Sequence, residues 1–420
     1  MGVLELHRTT QTDSTLSVTT KSPSRKDRSA GTILLLASLA MVATLPGRTV
    51  GLGLITEQLL VDLAITRSSY AQLNLWATFI GALFLFGTGP ALDRSIRWTT
   101  AAVLAGLSGA VFWLANLPGP GLLLPVLILT RGLGQSSLSL STIAIVAKSF
   151  RKKLSTAMGV FAVATSLLFV AAIPSVASLL DLLGWRKVWV ILAAVVLGIG
   201  LLVAFLIRDP QAQKSRGEDE VTPIGIPFRD ALRSPAFWVL TIGIGIYYFA
   251  FTGITLFCES LVVSLDFSKD IRNGFLAIMM ASGLVSNLCC GWLVQRVSVL
   301  NIFGGAMIVF AACLIGFPLA SGSIGLIYAV AAALGVGSGA VTVIFFAGFA
   351  DLFGKRHLGK IQGVAQAVTV GSSGAGPLFF AWSFESSGCY SSVFFILAPF
   401  ALIVGIWALY RQKAEQKTTI

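Results

Sequence analysis

Charge is what this 420-residue chain has least of. Asp, Glu, Lys and Arg make up 11% of it, against 55% hydrophobic residues. Soluble domains carry roughly 25% charged residues, so a water-facing surface of ordinary extent cannot be assembled from this composition. Acids are the scarcer sign, 18 against 30 Lys and Arg. The resulting net charge of +12 does not describe a nucleic-acid partner, because the basic residues are scattered through short loops between apolar runs. Cysteine is sparse too. Cys258, Cys289, Cys290, Cys313 and Cys389 are spaced for neither a zinc site nor a disulfide framework, and read as small buried hydrophobes. A nucleotide-binding loop, a metal-ligand cluster and a catalytic triad are all missing, so neither an enzyme nor a cofactor is expected. Residues 1–30 are polar and lack the apolar stretch and cleavage site of a signal peptide. They read as a disordered cytoplasmic tail.

Long apolar runs are plentiful, and they recur from Thr32 to Tyr410. Each exceeds the ~18 residues needed to cross a hydrocarbon layer of about 30 Å. Twelve helices are expected, at 31–58, 70–92, 98–116, 121–149, 155–181, 186–207, 236–263, 273–295, 299–319, 323–350, 359–384 and 390–411. The fold class is therefore an all-α integral membrane protein. Residues 31–207 and 236–411 form two six-helix bundles, joined by a cytoplasmic linker at 208–235 and followed by a tail at 412–420. Loops on the linker side hold fifteen Lys and Arg; the opposite loops hold only Arg67, Arg186, Lys187, Lys269 and Arg272. The positive-inside rule then puts both termini in the cytoplasm of a multi-pass protein of the plasma (inner) membrane.

The two bundles repeat one another. Residues 51–98 align with 253–300 without a gap, at an offset of 202, pairing Gly51 with Gly253, Glu57 with Glu259, Gly81 with Gly283, Gly89 with Gly291 and Arg94 with Arg296. Matched Leu and Val count for little in apolar sequence; matched Glu, Arg and Gly count for more. Six helices separate the copies, so both have the same orientation. Parallel repeats place a binding site near the midplane, between the halves.

Between helices 2 and 3 the chain reads Gly89-Pro-Ala-Leu-Asp93-Arg94-Ser-Ile-Arg97. This resembles the Gly-x-x-x-Asp-Arg-x-x-Arg loop of the major facilitator superfamily, and Arg131-Gly-Leu-Gly-Gln135 resembles the Arg-Gly-x-x-Gln signature that this family carries on helix 4. The resemblance implies a transporter fold and a gate latched by Gly89, Asp93, Arg94 and Arg97. Gly89 would permit close helix contact, and Asp93 would pair with guanidinium groups or a helix N-terminus. The second copy keeps Gly291 and Arg296 but has Gln295 where the acid would be, which implies a weaker latch. Five further segments resemble the monocarboxylate and oxalate–formate porter branch: Arg131–Ser139, Gly184-Trp185-Arg186, Arg208-Asp209-Pro210, Ser234-Pro-Ala-Phe-Trp238 and 353–359. Members of that branch often hold a carboxylate with a cation on helix 8 or helix 11. Here helix 8 has none before Arg296, and helix 11 has none past Lys360.

Only two cations fall well inside a span, Arg48 and Arg131. Buried charge is costly, so each marks a candidate functional site. Arg48 follows Pro46-Gly47, where a bend frees carbonyls that would hold it; snorkelling to the outer surface is the alternative. Arg131 either meets substrate or pairs with carbonyls or a neighbouring helix. No acid lies near mid-depth, and Glu57 and Glu259 sit at the outer ends of helices 1 and 7. Guanidinium forks match carboxylate or phosphate, so the expected partner is a small anionic solute, carried by alternating access. Gln135, Tyr247, Tyr248, Asn287 and Gln366 are the further substrate-binding candidates, with Thr49, Asn74 and Trp76 beside them. The chain is expected to work as a monomer in the lipid bilayer, either as an exchanger or as a facilitative carrier. Two alternatives stay open: an exporter of drugs or amphiphiles on the same fold, and a non-transporting membrane sensor.

Overall fold

The computed structural model describes residues 25–150, 154–207, 225–354 and 357–418. Among them all regular structure is helical, apart from one isolated bridge between Gly225 and Gly354. Helix is the form an apolar run takes in lipid, because it satisfies every backbone group within the segment. Among the described residues eleven helices are long and apolar enough to span a membrane, and the thirty-residue helix Leu358–Ser387 is a twelfth of sufficient length. In chain order they are α1 (Arg25–Val42, resuming as Thr49–Leu63), α2 (Arg67–Arg94), α3 (Ile96–Ala115), α4 (Pro120–Ser149), α5 (Leu154–Leu183), α6 (Trp185–Leu206), α7 (Pro235–Leu256), α8 (Ile271–Leu293), α9 (Val299–Gly316), α10 (Ile324–Val343), α11 (Leu358–Ser387) and α12 (Ser391–Thr418). Hydroxyl caps start several of them: Thr66, Ser95, Ser298 and Ser323 each accept a backbone N–H from the first turn, the usual answer to the orphan donors there.

The helix count and most boundaries agree with the sequence reading, and the differences lie at ends and breaks. α1 begins at Arg25, inside the expected tail, because no proline or glycine interrupts 25–30. α12 runs on to Thr418 through residues with good helix propensity, where a tail was expected from 412. Helix 7 stops at Leu256 and restarts as the short Cys258–Val263. Helix 10 widens into a π turn at Ile344–Gly348 before Phe349–Phe353. Residues 1–24 and 208–224, with most of the expected tail and linker, lie outside the described residues. The described end of the linker forms a short helix, Phe228–Arg233.

α1–α6 pack among themselves, as do α7–α12, with α3 against α6 in the first set and α8 against α10, α7 against α11 and α9 against α12 in the second. The two sets meet along α1 with α7, α2 with α11 and α5 with α8. One close approach joins repeat-related positions: Gly53 of α1 lies against the backbone of Thr255 in α7. Large apolar side chains such as Phe86, Leu182, Phe205 and Tyr410 stand exposed on the outside, a surface suited to lipid and not to water.

Candidate functional site

The site begins at the break in α1. Leu45–Gly47 makes one tight turn, and Arg48 is extended (φ −88°, ψ 154°) before Thr49 restarts the helix. Pro46 has no N–H to donate to the preceding turn, which favours the break. Gly47 packs on α4, where an added Cβ would come within 3.0 Å of Gly134 Cα and overlap the Thr130 carbonyl, so a larger residue would push the helices apart. Arg48 Nε donates to Thr44 Oγ1 at 2.6 Å, and Nη2 to Ser139 Oγ at 3.2 Å and Met41 Sδ at 3.3 Å. Its guanidinium also lies 5.3 Å from the centroid of the Phe169 ring. The bend does not hold Arg48 by freed carbonyls, as the sequence suggested. Thr44 is the intermediary, donating its own hydroxyl to Met41 O at 2.6 Å. Nor does Arg48 snorkel outward; it faces the space between the two helix sets.

Arg131 does not reach that space. It is only 3% exposed and lies on a π-helical stretch of α4, Arg131–Leu138, a deformation often found at functional positions. Nη1 donates to Thr49 Oγ1 and to Gln135 Oε1, both at 2.8 Å, and Nη2 donates to Asn74 Oδ1 at 2.7 Å. Arg131 thus ties α1, α2 and α4 together from behind, through side chains and not carbonyls. Its buried Nε has no hydrogen-bond partner among the described residues.

Between the sets lies a cavity of about 250 Å³. The first set contributes Arg48, Thr49, Val50 and Gln135. The second contributes Tyr248, Phe251 and Thr252 from α7, Thr342 and Phe345 from the α10 region, and Gln366, Thr369, Val370 and Ser373 from α11. Arg48 is the one charged side chain among these lining residues, and no carboxylate pairs with it among the described residues. Among the described residues no His, Cys, Asp or Glu lines the cavity.

The structure separates the expected site residues into two groups. Arg48, Gln135, Tyr248 and Gln366 line the cavity, with Thr49. Arg131 and Asn74 stand behind the wall. Tyr247 is turned into the second helix set, 1% exposed, stacked on Phe251 and donating to Leu334 O at 2.9 Å. Successive helical residues diverge by about 100°, so only one of the adjacent tyrosines can face the cavity. Asn287 lies at the crossing of α8 with α10, its backbone N beside Gly339, away from the cavity. Trp76 is exposed. Ser139, Thr252, Thr342, Thr369 and Ser373 were not singled out from the sequence. Serine and threonine are common in apolar helices, and these helices have little amphipathic signal to mark an inward face.

At the end of the bundle away from the linker the two sets are joined. Arg272 of α8, 2% exposed, pairs with Glu259 in its own set and with Asp181 of α5 across the gap at 3.7 Å. Ser68 N donates to Glu385 Oε1 at 2.8 Å, also across the gap. Arg67 pairs with Glu57 at 2.6 Å and lies 4.5 Å from the Phe384 ring centroid. Glu57 and Glu259 thus face one cavity of about 400 Å³. At the linker end, among the described residues, no hydrogen bond or ion pair joins the sets. The motif there differs from expectation. Asp93 pairs with the Lys148 ammonium at 2.9 Å, within its own set, instead of a guanidinium or helix N-terminus. Among the described residues neither Gly89 nor Gly291 has a neighbour where a side chain would project, so Gly89 does not make the expected close contact. Arg97 and Arg296 lie over the rings of Trp98 and Trp292, and Arg94 is exposed.

The family model described as Major Facilitator Superfamily matches residues 35–320 and 273–420. No curated protein matches the chain. Among solved structures, a bacterial homologue of the human lysosomal transporter Spinster, inward-facing and unoccupied, is similar at a TM-score of 0.68 and 15% identity, covering 90% of this chain and 95% of that one. The nucleoside transporter NupG is similar at a TM-score of 0.72 and 15% identity, covering 91% and 98%. At such identities the likeness is one of fold.

Proposed function

The chain belongs to the Major Facilitator Superfamily, and from that premise we propose that it carries a small organic anion across the membrane by alternating access. Arg48 carries the reading. It is the one charged group on the wall of the central cavity, and its hydrogen bonds go to neutral acceptors only. A guanidinium held out of bulk water without a counter-ion is costly, and an anionic solute supplies that counter-ion. The cavity volume of about 250 Å³ corresponds to roughly eight waters at ~30 Å³ each, which suits a small solute. Arg131 acts as a positioning residue, fixing Thr49 and Gln135 in the wall. The motifs shared with the monocarboxylate and oxalate–formate porters support that branch, with Arg48 on α1 in the place of a cation on α8 or α11. The cavity has no acid to shuttle a proton, so anion exchange or facilitated diffusion fits better than obligate proton symport. The positive-inside count puts the linker end in the cytoplasm of the plasma (inner) membrane, and a conformation closed at the other end then faces inward. We take the working unit to be a monomer.

The nucleoside in NupG's name is an uncharged solute that would leave Arg48 unpaired, which makes it a useful control. The test is uptake into proteoliposomes of formate, lactate, a phosphate monoester and uridine, repeated with Arg48→Ala and Arg131→Met. A hydrogen bond to a charged group contributes about 1.5–3 kcal/mol, so Arg48→Ala should raise KM for the acid roughly 10- to 100-fold. Arg131→Met should raise it less, through the displaced Thr49 and Gln135. Carriage of uridine, with Arg48→Ala at full rate, would defeat the reading.

A further inference from the structure

The cavity's two walls differ in which half of a hydrogen bond they can supply. A hydroxyl has one hydrogen and two lone pairs, so once its hydrogen is committed it can only accept. Of the five lining hydroxyls in the second helix set, four, all but Tyr248, have committed theirs to helix carbonyls. Thr342 donates to Ser338 O at 2.8 Å, Thr369 to Ala365 O at 2.9 Å and Ser373 to Val370 O at 2.9 Å. Thr252 has its one hydrogen within reach of two carbonyls, Tyr248 O at 2.7 Å and Ser373 O at 2.8 Å. What these groups can still offer is lone pairs.

The first set is the reverse. Arg131 donates to the oxygens of both Thr49 and Gln135. With its carbonyl oxygen held, Gln135 offers its NH2 to the cavity it lines, and Thr49 keeps its hydroxyl hydrogen. Arg48 adds a guanidinium, which has no acceptor capacity at all. The wall of Arg48 therefore donates and carries a positive charge, while the opposite wall carries none and presents four hydroxyls that can only accept, beside Tyr248 and Gln366, which can do either. A solute that satisfies both has an acidic group at one end and O–H donors at the other. An ammonium donor is disfavoured, because no carboxylate lines the cavity to receive it. A second acidic group is disfavoured too, because Arg48 is the one cation among the lining residues to meet it.

We infer that the substrate is a hydroxylated monoanion, its one acidic group against Arg48 and its hydroxyls against Thr252, Thr342, Thr369 and Ser373. The inference rests on the anion reading above and narrows it. It ranks acids of equal length by the hydroxyls they carry, which a charge-only site would not do.

Propionate, lactate and glycerate have three carbons and one carboxylate each, with none, one and two hydroxyls. Glycerol has the hydroxyls without the acid. Uptake of all four is measured in proteoliposomes holding the full chain. Half-saturation concentrations should fall from propionate to lactate to glycerate, by up to about tenfold per hydroxyl, as one net hydrogen bond allows. Thr342→Val and Thr369→Val should each bring the glycerate-to-propionate ratio toward one, and thermal melting of the variants reports whether they fold. Equal handling of propionate and glycerate would overturn the inference and leave the anion reading standing. Glycerol carried as well as glycerate would overturn the anion reading instead, and no uptake of any of the three acids would overturn both.

Discussion

Asp181→Asn should shift the chain toward the conformation open at its linker-distal end. Asp181 is on α5 and Arg272 on α8, so their contact at 3.7 Å exists only while the two helix sets are closed there. Arg272 also pairs with Glu259 inside its own set, and that contact survives opening. Removing the Asp181 charge therefore costs the closed state one interaction and leaves the buried guanidinium partnered in both states. Coulomb's law at an effective dielectric of about 20 gives roughly 4–5 kcal/mol at this separation. The net value is smaller, because the Asp181 side chain is 32% exposed and is hydrated when the pair parts. Partly exposed pairs are worth about 1 kcal/mol or less, and buried ones more, so about 1 kcal/mol is a fair figure here. That corresponds to roughly a fivefold change in the open-to-closed ratio. Spin labels at Leu182→Cys and Leu319→Cys, one on each helix set, would read the ratio from their distance distribution in nanodiscs. The background would lack Cys289 and Cys389. An open-to-closed ratio that moves less than twofold would refute the assignment of this pair as a closing contact.

Two further outcomes follow from the same end of the molecule. Gly53→Ala should act in the same direction and more strongly, because the new Cβ would overlap the Thr255 carbonyl and come within 3.1 Å of Leu256 Cα, neither of which can rotate away; overpacking of this kind costs about 1–3 kcal/mol, and full-speed uptake with an unmoved spin-label distance would contradict it. Cys389, in the turn between α11 and α12, has its thiol held below the ordinary range, first by the hydrogen bond with the Ser387 hydroxyl. Its thiolate persists to lower pH than a free thiol's and is lost as pH falls through the lowered pKa. A charged, membrane-impermeant maleimide should label it near neutral pH in right-side-out vesicles. Ser387→Ala should slow that labelling and move its pH midpoint upward; an unchanged midpoint, or labelling only after permeabilisation, would count against the thiol environment or the orientation, respectively.

Much of this architecture is legible in the chain because its signals are local. Apolar length marks each span, Pro46-Gly47 marks the break in α1, and the 202-residue offset brings Gly53 to Thr255 and Glu57 near Glu259. The candidate site is legible only in part, because facing direction is not a local property. Tyr247 and Tyr248 are neighbours with similar surroundings in sequence, yet one donates to Leu334 O and the other lines the cavity. Arg131 reads as an intramembrane cation, but its use depends on Thr49 and Asn74, 82 and 57 residues away. Arg272 reads as a loop cation, and is buried because Asp181 from the other helix set reaches it. The hydroxyls of the accepting wall are the hardest to find, since each spends its hydrogen on a carbonyl and looks structural when taken alone. Their meaning comes from the wall they oppose. Position 48 carries an arginine and its repeat counterpart is Ala250, so the charge sits on one side only. One helix set holds the cation and the other holds four hydroxyls that can only accept, and that asymmetry of the cavity follows from where the two copies of the repeat have diverged.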